Sequence, residues 1–274
     1  MSYISINLAL HPENEAKILV SDLALQRGYG IFDFLKTING KAIFIEDHFN
    51  RFYNSAKALN LPLQYDKAKL HQAVNELMQK NEMPNSGIKM ILTGGFSSDG
   101  YTIGEPNLII TQSPFKFDES SYAKGMRLIT YNHQRQLATV KTIDYLQAIL
   151  LQPILKQQLA DDILYHQDGQ VRECPRANFF IVKGNTILTP QTAILEGITR
   201  SKILNFQLDG YTILAKDFTL DDIKTADEAF ITSSTKNVMP ILAIDGIDVG
   251  NGKPGVVTGL IKDQFTALLK SVID

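Results

Sequence analysis

Lys141 is the residue whose setting most invites chemistry. It follows the apolar stretch Leu137-Ala138-Thr139-Val140 and precedes a helix expected to begin near Tyr145. An amine withdrawn from water loses proton affinity, which makes it a nucleophile and proton carrier near neutral pH. Two other segments could receive an anion. Glu196-Gly197-Ile198-Thr199-Arg200 offers a flexible glycine and then a helix start, where the Ile198 and Thr199 N–H groups would point outward. Thr232-Ser233-Ser234-Thr235 closes an apolar strand with four hydroxyls. Glu173, just before the strand Asn178-Phe179-Phe180-Ile181, is an acid at the edge of an apolar run. Each feature also has an ordinary structural reading: a snorkelling lysine, a capped helix, a hydroxyl-rich turn and a surface acid.

The elements that must hold these residues read as follows. ISINLAL alternates apolar and polar residues, as an opening strand does. IFDFLKTINGKAIFI holds two apolar runs about Asn39-Gly40, a hairpin signal. EDHFNRFYNSAKALN and KAKLHQAVNELMQK are amphipathic helices, and GIKMILT and NLIIT are strands. Around SPFKFDESSYAKG the pattern lapses into polar, turn-forming residues, which places a domain boundary there and divides the chain into 1–115 and 116–274. The second part opens with the strands MRLITY and LATVK, then one long helix over YLQAILLQPILKQQLA. More strands follow, with a helix at TRSKILNFQLD and another at the C-terminus. The balance is α+β.

Composition narrows the function. Of 274 residues, 44% are hydrophobic and 20% charged, with a net charge of -2, which suits a globular enzyme and offers no basic field for nucleic acid. No apolar run reaches membrane-spanning length, and MSYISINLAL lacks the basic start of a signal peptide. With a single cysteine, Cys174, a cytoplasmic location is expected. The five histidines have no metal-ligand spacing, so no metal is expected. Gly250-Asn251-Gly252-Lys253-Pro254-Gly255 fits a dinucleotide fingerprint, but a short IDGIDVG hairpin precedes it where the fingerprint needs a buried strand. It reads as a turn into the last helix.

Taken together, GYGIFDFLKTINGKAIFIEDHFNRFYNSAKAL, VKTIDYL, VRECPRANFFIVKGNTILTP, ILEGITRSKIL and ITSSTKNVMPI resemble, in order and spacing, the class IV aminotransferases of pyridoxal 5'-phosphate (PLP) fold type IV. That group includes branched-chain and D-amino-acid aminotransferases and 4-amino-4-deoxychorismate lyase. The resemblance implies a small α/β N-terminal domain, a larger barrel-like C-terminal domain, and a homodimer. It implies PLP bound as a Schiff base on Lys141, with Glu173 at the ring nitrogen. Arg51, the Ile198 and Thr199 amides and Ser234 would hold the phosphate. His48, one helical turn before Arg51, would be a structural residue behind them. Tyr145 resembles a tyrosine near the ring hydroxyl, at a spacing one residue shorter than usual.

The implied substrates are an amino acid, branched-chain ones among the candidates, and a 2-oxo acid. An Arg-x-His pair that holds the carboxylate in D-amino-acid enzymes is missing from Gly94-Gly95-Phe96-Ser97-Ser98-Asp99-Gly100-Tyr101, and Phe32 stands where a tyrosine is usual. The Ser234 and Thr235 amides, with Lys36 or Lys89, are the expected carboxylate contacts. Glu173 to Asn178 also fits the lyase pattern, which would release pyruvate and 4-aminobenzoate. The SSTKNVMP stretch sits nearer the aminotransferases, and transamination is the favoured reading. A PLP-binding protein without turnover is the third.

Overall fold

Asn39 and Gly40 both take left-handed φ values, 51° and 76°, the geometry of a two-residue hairpin turn. The turn joins the strands Gly30–Ile38 and Lys41–Ala42 as the sequence predicts. This computed structural model describes residues 2–116 and 120–273. The chain forms two compact units. Residues up to Lys116 make the first, together with Val140–Asp144; residues 120–139 and Tyr145–Val272 belong to the second. The segment read as the boundary includes 117–119, which lie outside the described residues. Lys141 thus packs with the N-terminal unit, although sequence order places it in the C-terminal part.

The first unit is an antiparallel sheet of six strands in the order Ala9–Pro12, Tyr3–Ile6, Leu108–Pro114, Ser86–Thr93, Gly30–Ile38 and Lys41–Ala42. Helices Ile45–Ala58 and Lys67–Asn81 supply Phe49, Phe52, Leu70 and Leu77 to a core shared with Ile31, Leu35, Ile88 and Met90 of the sheet. Strand alternation fixes the rest. Asp33 shares the parity of Ile31 and Leu35, while Phe32, Phe34 and Lys36 occupy the opposite face. Register pairs Phe34 with Lys89 and Lys36 with Gly87, so Lys89 joins that opposite face.

The second unit is a mixed ten-stranded sheet. Its centre is antiparallel: Ala177–Lys183 pairs with Glu228–Ser233, which pairs with Asn237–Ile244. Parallel pairing then adds Met126–Asn132 and Asp162–Gln167. Phe179, Ile181, Leu164, Ile231 and Ile241 fill the core.

Three expectations about elements need correction. ISINLAL is a hairpin rather than one strand, because Asn7 and Leu8 turn the chain at φ 51° and 69°. LATVK is a turn, with Leu137 at φ 53°, outside the extended range of a regular strand. The long helix is broken into Leu146–Leu150 and Gln152–Gln157. Pro153 lacks the N–H an uninterrupted helix needs there and occupies the first turn of the second piece. The glycine-rich turn does lead into the last helix, Val256–Ile273. Its first N–H groups are taken by Glu228: Val257 donates to Oε1 at 2.9 Å and Thr258 to Oε2 at 2.7 Å. An intramolecular carboxylate therefore fills the place a dinucleotide phosphate would need.

Candidate active site

In the first unit, Lys141 is held at its backbone on both sides. Its N–H donates to Ser55 Oγ at 3.3 Å, and its carbonyl accepts the Phe32 N–H at 2.9 Å. Thr142 and Ile31 form a β-bridge beside it. These contacts place the lysine at Gly30–Ile38 and Ile45–Ala58, and its Nζ lies 4.5 Å from the Phe32 ring centroid, a cation–π distance. Lys89 Nζ lies 5.9 Å from the same centroid. Phe32, Lys36, Lys89 and Lys141 are thereby associated with one strand pair. Lys36 is 5% exposed, and burial pulls its ammonium down to about 8.

Arg51 and His48 are three residues apart on Ile45–Ala58 and meet the same partner. Asp33 lies 2.7 Å from His48 Nδ1 and accepts from Arg51 Nε at 2.8 Å and Nη2 at 2.7 Å. Burial alone would raise this carboxyl. The Arg51 and His48 charges and hydrogen bonds override it and hold Asp33 well below the usual carboxylate range. Burial lowers His48 against the pull of Asp33. Sequence reading assigned Arg51 and His48 but missed Asp33. An acid in the middle of an apolar strand, at core-facing parity, was the available signal.

In the second unit, strand register gathers the assigned residues at one end of the sheet. Glu173 pairs with Asn178 across a tight turn; Asn178 pairs with Thr232; Ser233 pairs with Asn237 across the turn that carries Ser234 and Thr235. Ser233 Oγ is 3.2 Å from Thr235 Oγ1 and accepts the Lys236 N–H at 3.0 Å, which shapes that turn. The helix Ile198–Leu204 starts at the same place. Asn178 Nδ2 donates to the Leu195 carbonyl at 2.7 Å, and a Cβ on Gly197 would strike Asn178 Oδ1 at 2.0 Å. Ile198 and Thr199 are both buried in the first turn of this helix, whose Gly197 N-cap supplies no side-chain cap. Tyr145 sits at the start of Leu146–Leu150.

Glu173 is 4% exposed and well anchored. Oε2 accepts the Leu195 N–H at 3.1 Å and lies 3.5 Å from Asn178 Nδ2. Oε1 accepts from Arg135 Nη1 at 2.9 Å. Sequence reading found Glu173 but passed over Arg135, which lies in a stretch without periodicity. Only the fold brings an arginine from that stretch to an acid 38 residues later. Thr232 Oγ1 at this sheet end is buried with no hydrogen-bond partner among the described residues. Those residues also hold no cluster of metal-ligating side chains and no helix long and apolar enough to cross a membrane.

The fold and much of the sequence recur in known aminotransferases. The chain is 29% identical to a D-alanine aminotransferase of Bacillus licheniformis over 98% of its length and 97% of that protein. It is 30% identical to a D-alanine aminotransferase of Listeria innocua over 96% and 94%. A solved branched-chain amino acid aminotransferase of T.th., with pyridoxamine 5'-phosphate, shares the fold at a TM-score of 0.90 and 24% identity, covering 99% of this chain and 95% of that one. The second unit's sheet is accordingly the curled half-barrel of fold type IV. The amino-transferase class IV family matches residues 30–244, from the strand that carries Phe32 to the one that follows Thr235, and the chain belongs to that family of PLP enzymes.

Proposed function

We propose that this enzyme moves an amino group from an amino acid to a 2-oxo acid, with Lys141 as the residue that binds PLP covalently and carries the proton. The observation that supports it most is the setting of Lys141: a half-buried amine, tied through its backbone to Ser55 and Phe32, with its ammonium 4.5 Å from an aromatic centroid. Such a lysine has an anchored backbone and a partly buried side chain beside an aromatic ring, a setting suited to a proton shuttle.

The residues present fit the cofactor. Glu173 is a buried, fully oriented carboxylate of the kind a protonated ring nitrogen requires. Thr232 Oγ1 is an orphaned buried hydroxyl, and Ile198 and Thr199 lead a helix without a side-chain cap. PLP, when bound, supplies an electron sink for the carbon that loses its proton. In this reading Glu173 keeps the ring nitrogen protonated. Arg51, the Ile198 and Thr199 amides and Ser234 hold the phosphate, and Tyr145 lies near the ring hydroxyl. The substrate carboxylate is met by the Ser234 and Thr235 amides with Lys36 or Lys89, and Phe32 bounds the substrate. The D-alanine and branched-chain relatives favour small or aliphatic amino acids as donors.

The assembly in this reading is a homodimer in the cytoplasm. Exposed Leu19, Val20, Leu25, Phe96 and Tyr101 provide apolar surface for a second copy. Borohydride reduction followed by peptide mapping tests the central assignment: the cofactor is expected on Lys141, and attachment to any other lysine overturns it. Addition of an amino donor without an acceptor should convert bound PLP to the pyridoxamine form. An unchanged spectrum together with pyruvate release from aminodeoxychorismate would replace the transferase reading with the lyase.

A further inference from the structure

Glu173 does not stand alone. Arg135 Nη1 donates to its Oε1 at 2.9 Å, and the two side chains are 12% and 5% exposed, so the pair is almost wholly withdrawn from water. Arg135 is itself tied down. Nη1 also reaches the Ala138 carbonyl at 3.4 Å, and the neighbouring Gln134 Nε2 donates to the Arg135 carbonyl at 3.3 Å and to the Ala193 carbonyl at 3.0 Å. The opposite carboxylate oxygen accepts from Leu195 N. A guanidinium on one oxygen and a backbone amide on the other fix both the rotation and the charge of this acid.

We infer that Arg135 is a positioning residue that acts through Glu173 to keep the shared proton on the cofactor's ring nitrogen; this rests on the functional reading above. A carboxylate and a pyridine nitrogen compete for one proton, and the pair is either anion and cation or two neutral groups. A guanidinium in contact with the carboxylate stabilises the anion strongly. It opposes a cation bonded beyond that carboxylate less, because Coulomb energy falls with distance. Arg135 thus lowers the proton affinity of Glu173 more than that of the ring nitrogen. Without it the proton can pass to Glu173, and the ring then draws electrons from the reacting carbon less effectively. The same contact also holds the carboxylate against rotation, together with Leu195 N and Asn178 Nδ2 on the other oxygen.

The test uses whole enzyme loaded with PLP labelled with nitrogen-15 at the ring, and reads the nitrogen chemical shift beside steady-state kinetics. Arg135→Gln keeps a donor for Oε1 without the charge, and Arg135→Lys keeps the charge without the planar fork. The wild type and Arg135→Lys should show a protonated nitrogen. Arg135→Gln should show a shift toward the unprotonated form and a kcat lower by roughly ten- to a hundredfold, the span of one charge-assisted hydrogen bond, with KM little changed. Arg135→Gln added to Glu173→Gln should cost almost nothing further, since its route runs through the missing acid. Equal nitrogen shifts in the Lys and Gln variants, or a full additional loss in the double variant, overturn the inference. Arg135→Met extends the series, but the Lys and Gln contrast decides the matter even if Met does not fold. Wild-type protein that takes up no PLP would instead overturn the functional reading, so the two failures are told apart.

Discussion

Arg51 grips Asp33 along one edge of its guanidinium, with Nε on Oδ2 and Nη2 on Oδ1 at 2.8 and 2.7 Å. The carboxylate is fully buried, and its Oδ1 also lies 2.7 Å from His48 Nδ1. Strand and helix are thereby pinned together through charge as well as through the apolar contacts of Phe49 and Phe52. Asp33 thereby fixes the orientation of the arginine assigned to the phosphate, which lowers the ordering cost of binding.

Asp33→Asn should weaken that joint and change its pH response. Asp33 has a depressed folded pKa, so its stabilisation is present above the ordinary value of 3.8 and is lost as pH falls toward the folded value. Breaking one partner of a buried pair costs on the order of 3–5 kcal/mol. Urea denaturation across the acid range should show lower stability for the variant at neutral pH and a flatter acid limb. An unchanged acid limb would mean that Asp33 is not the group responsible.

Arg51→Ala should lower PLP affinity by roughly ten- to a hundredfold, because a charge-assisted contact is removed. It also removes two of the hydrogen bonds to buried Asp33, leaving His48 on Oδ1, so stability should fall in the same variant. Equilibrium titration with PLP separates the two effects when Asp33→Asn is measured alongside. Wild-type affinity in folded Arg51→Ala would remove Arg51 from the phosphate site.

Lys36→Met should stabilise the apoenzyme while impairing turnover. The folded pKa of Lys36 is lowered from 10.5 to about 8, so the unfolded chain binds its proton more tightly. The penalty is therefore complete below about 8 and fades as pH rises toward 10.5. Relief of about 1–3 kcal/mol is expected at neutral pH, the scale of a pKa displacement of this size discounted for relaxation. Denaturation at pH 7 and at the ordinary lysine pKa should show the difference closing. A Met variant less stable than wild type at neutral pH would show that the interactions of Lys36 outweigh its desolvation.

Glu228→Gln tests a purely structural carboxylate. It should lose the charge at the N-terminus of Val256–Ile273 and weaken the bonds from Val257 and Thr258, at a cost of about 1–2 kcal/mol. Tm should drop while kcat and PLP affinity hold. A change in cofactor binding would mean that this helix communicates with the site.

Sequence alone determined the local elements wherever one rule governed them. The Asn39-Gly40 turn needed only residues that tolerate positive φ, and Ile45–Ala58 needed only its apolar period and the acids of its first turn. Lys141, Glu173 and Arg51 were singled out because the motifs around them resemble the family's in order and spacing. The broken helix at Pro153 and the turn at Leu137 were misread because apolar composition outweighed one proline and one unfavourable φ. Tertiary structure alone decided the partners of the charged groups. Nothing local marks Arg135 for Glu173, 38 residues away, or Arg51 for Asp33, 18 away. Such pairs form because a buried charge is costly until a partner on another element meets it, and which partner can do so depends on register and packing rather than on neighbours in the chain. Tertiary structure also assigned Lys141 to the first unit: its backbone bonds to Ser55 and Phe32 exist only after the sheet and helix have formed.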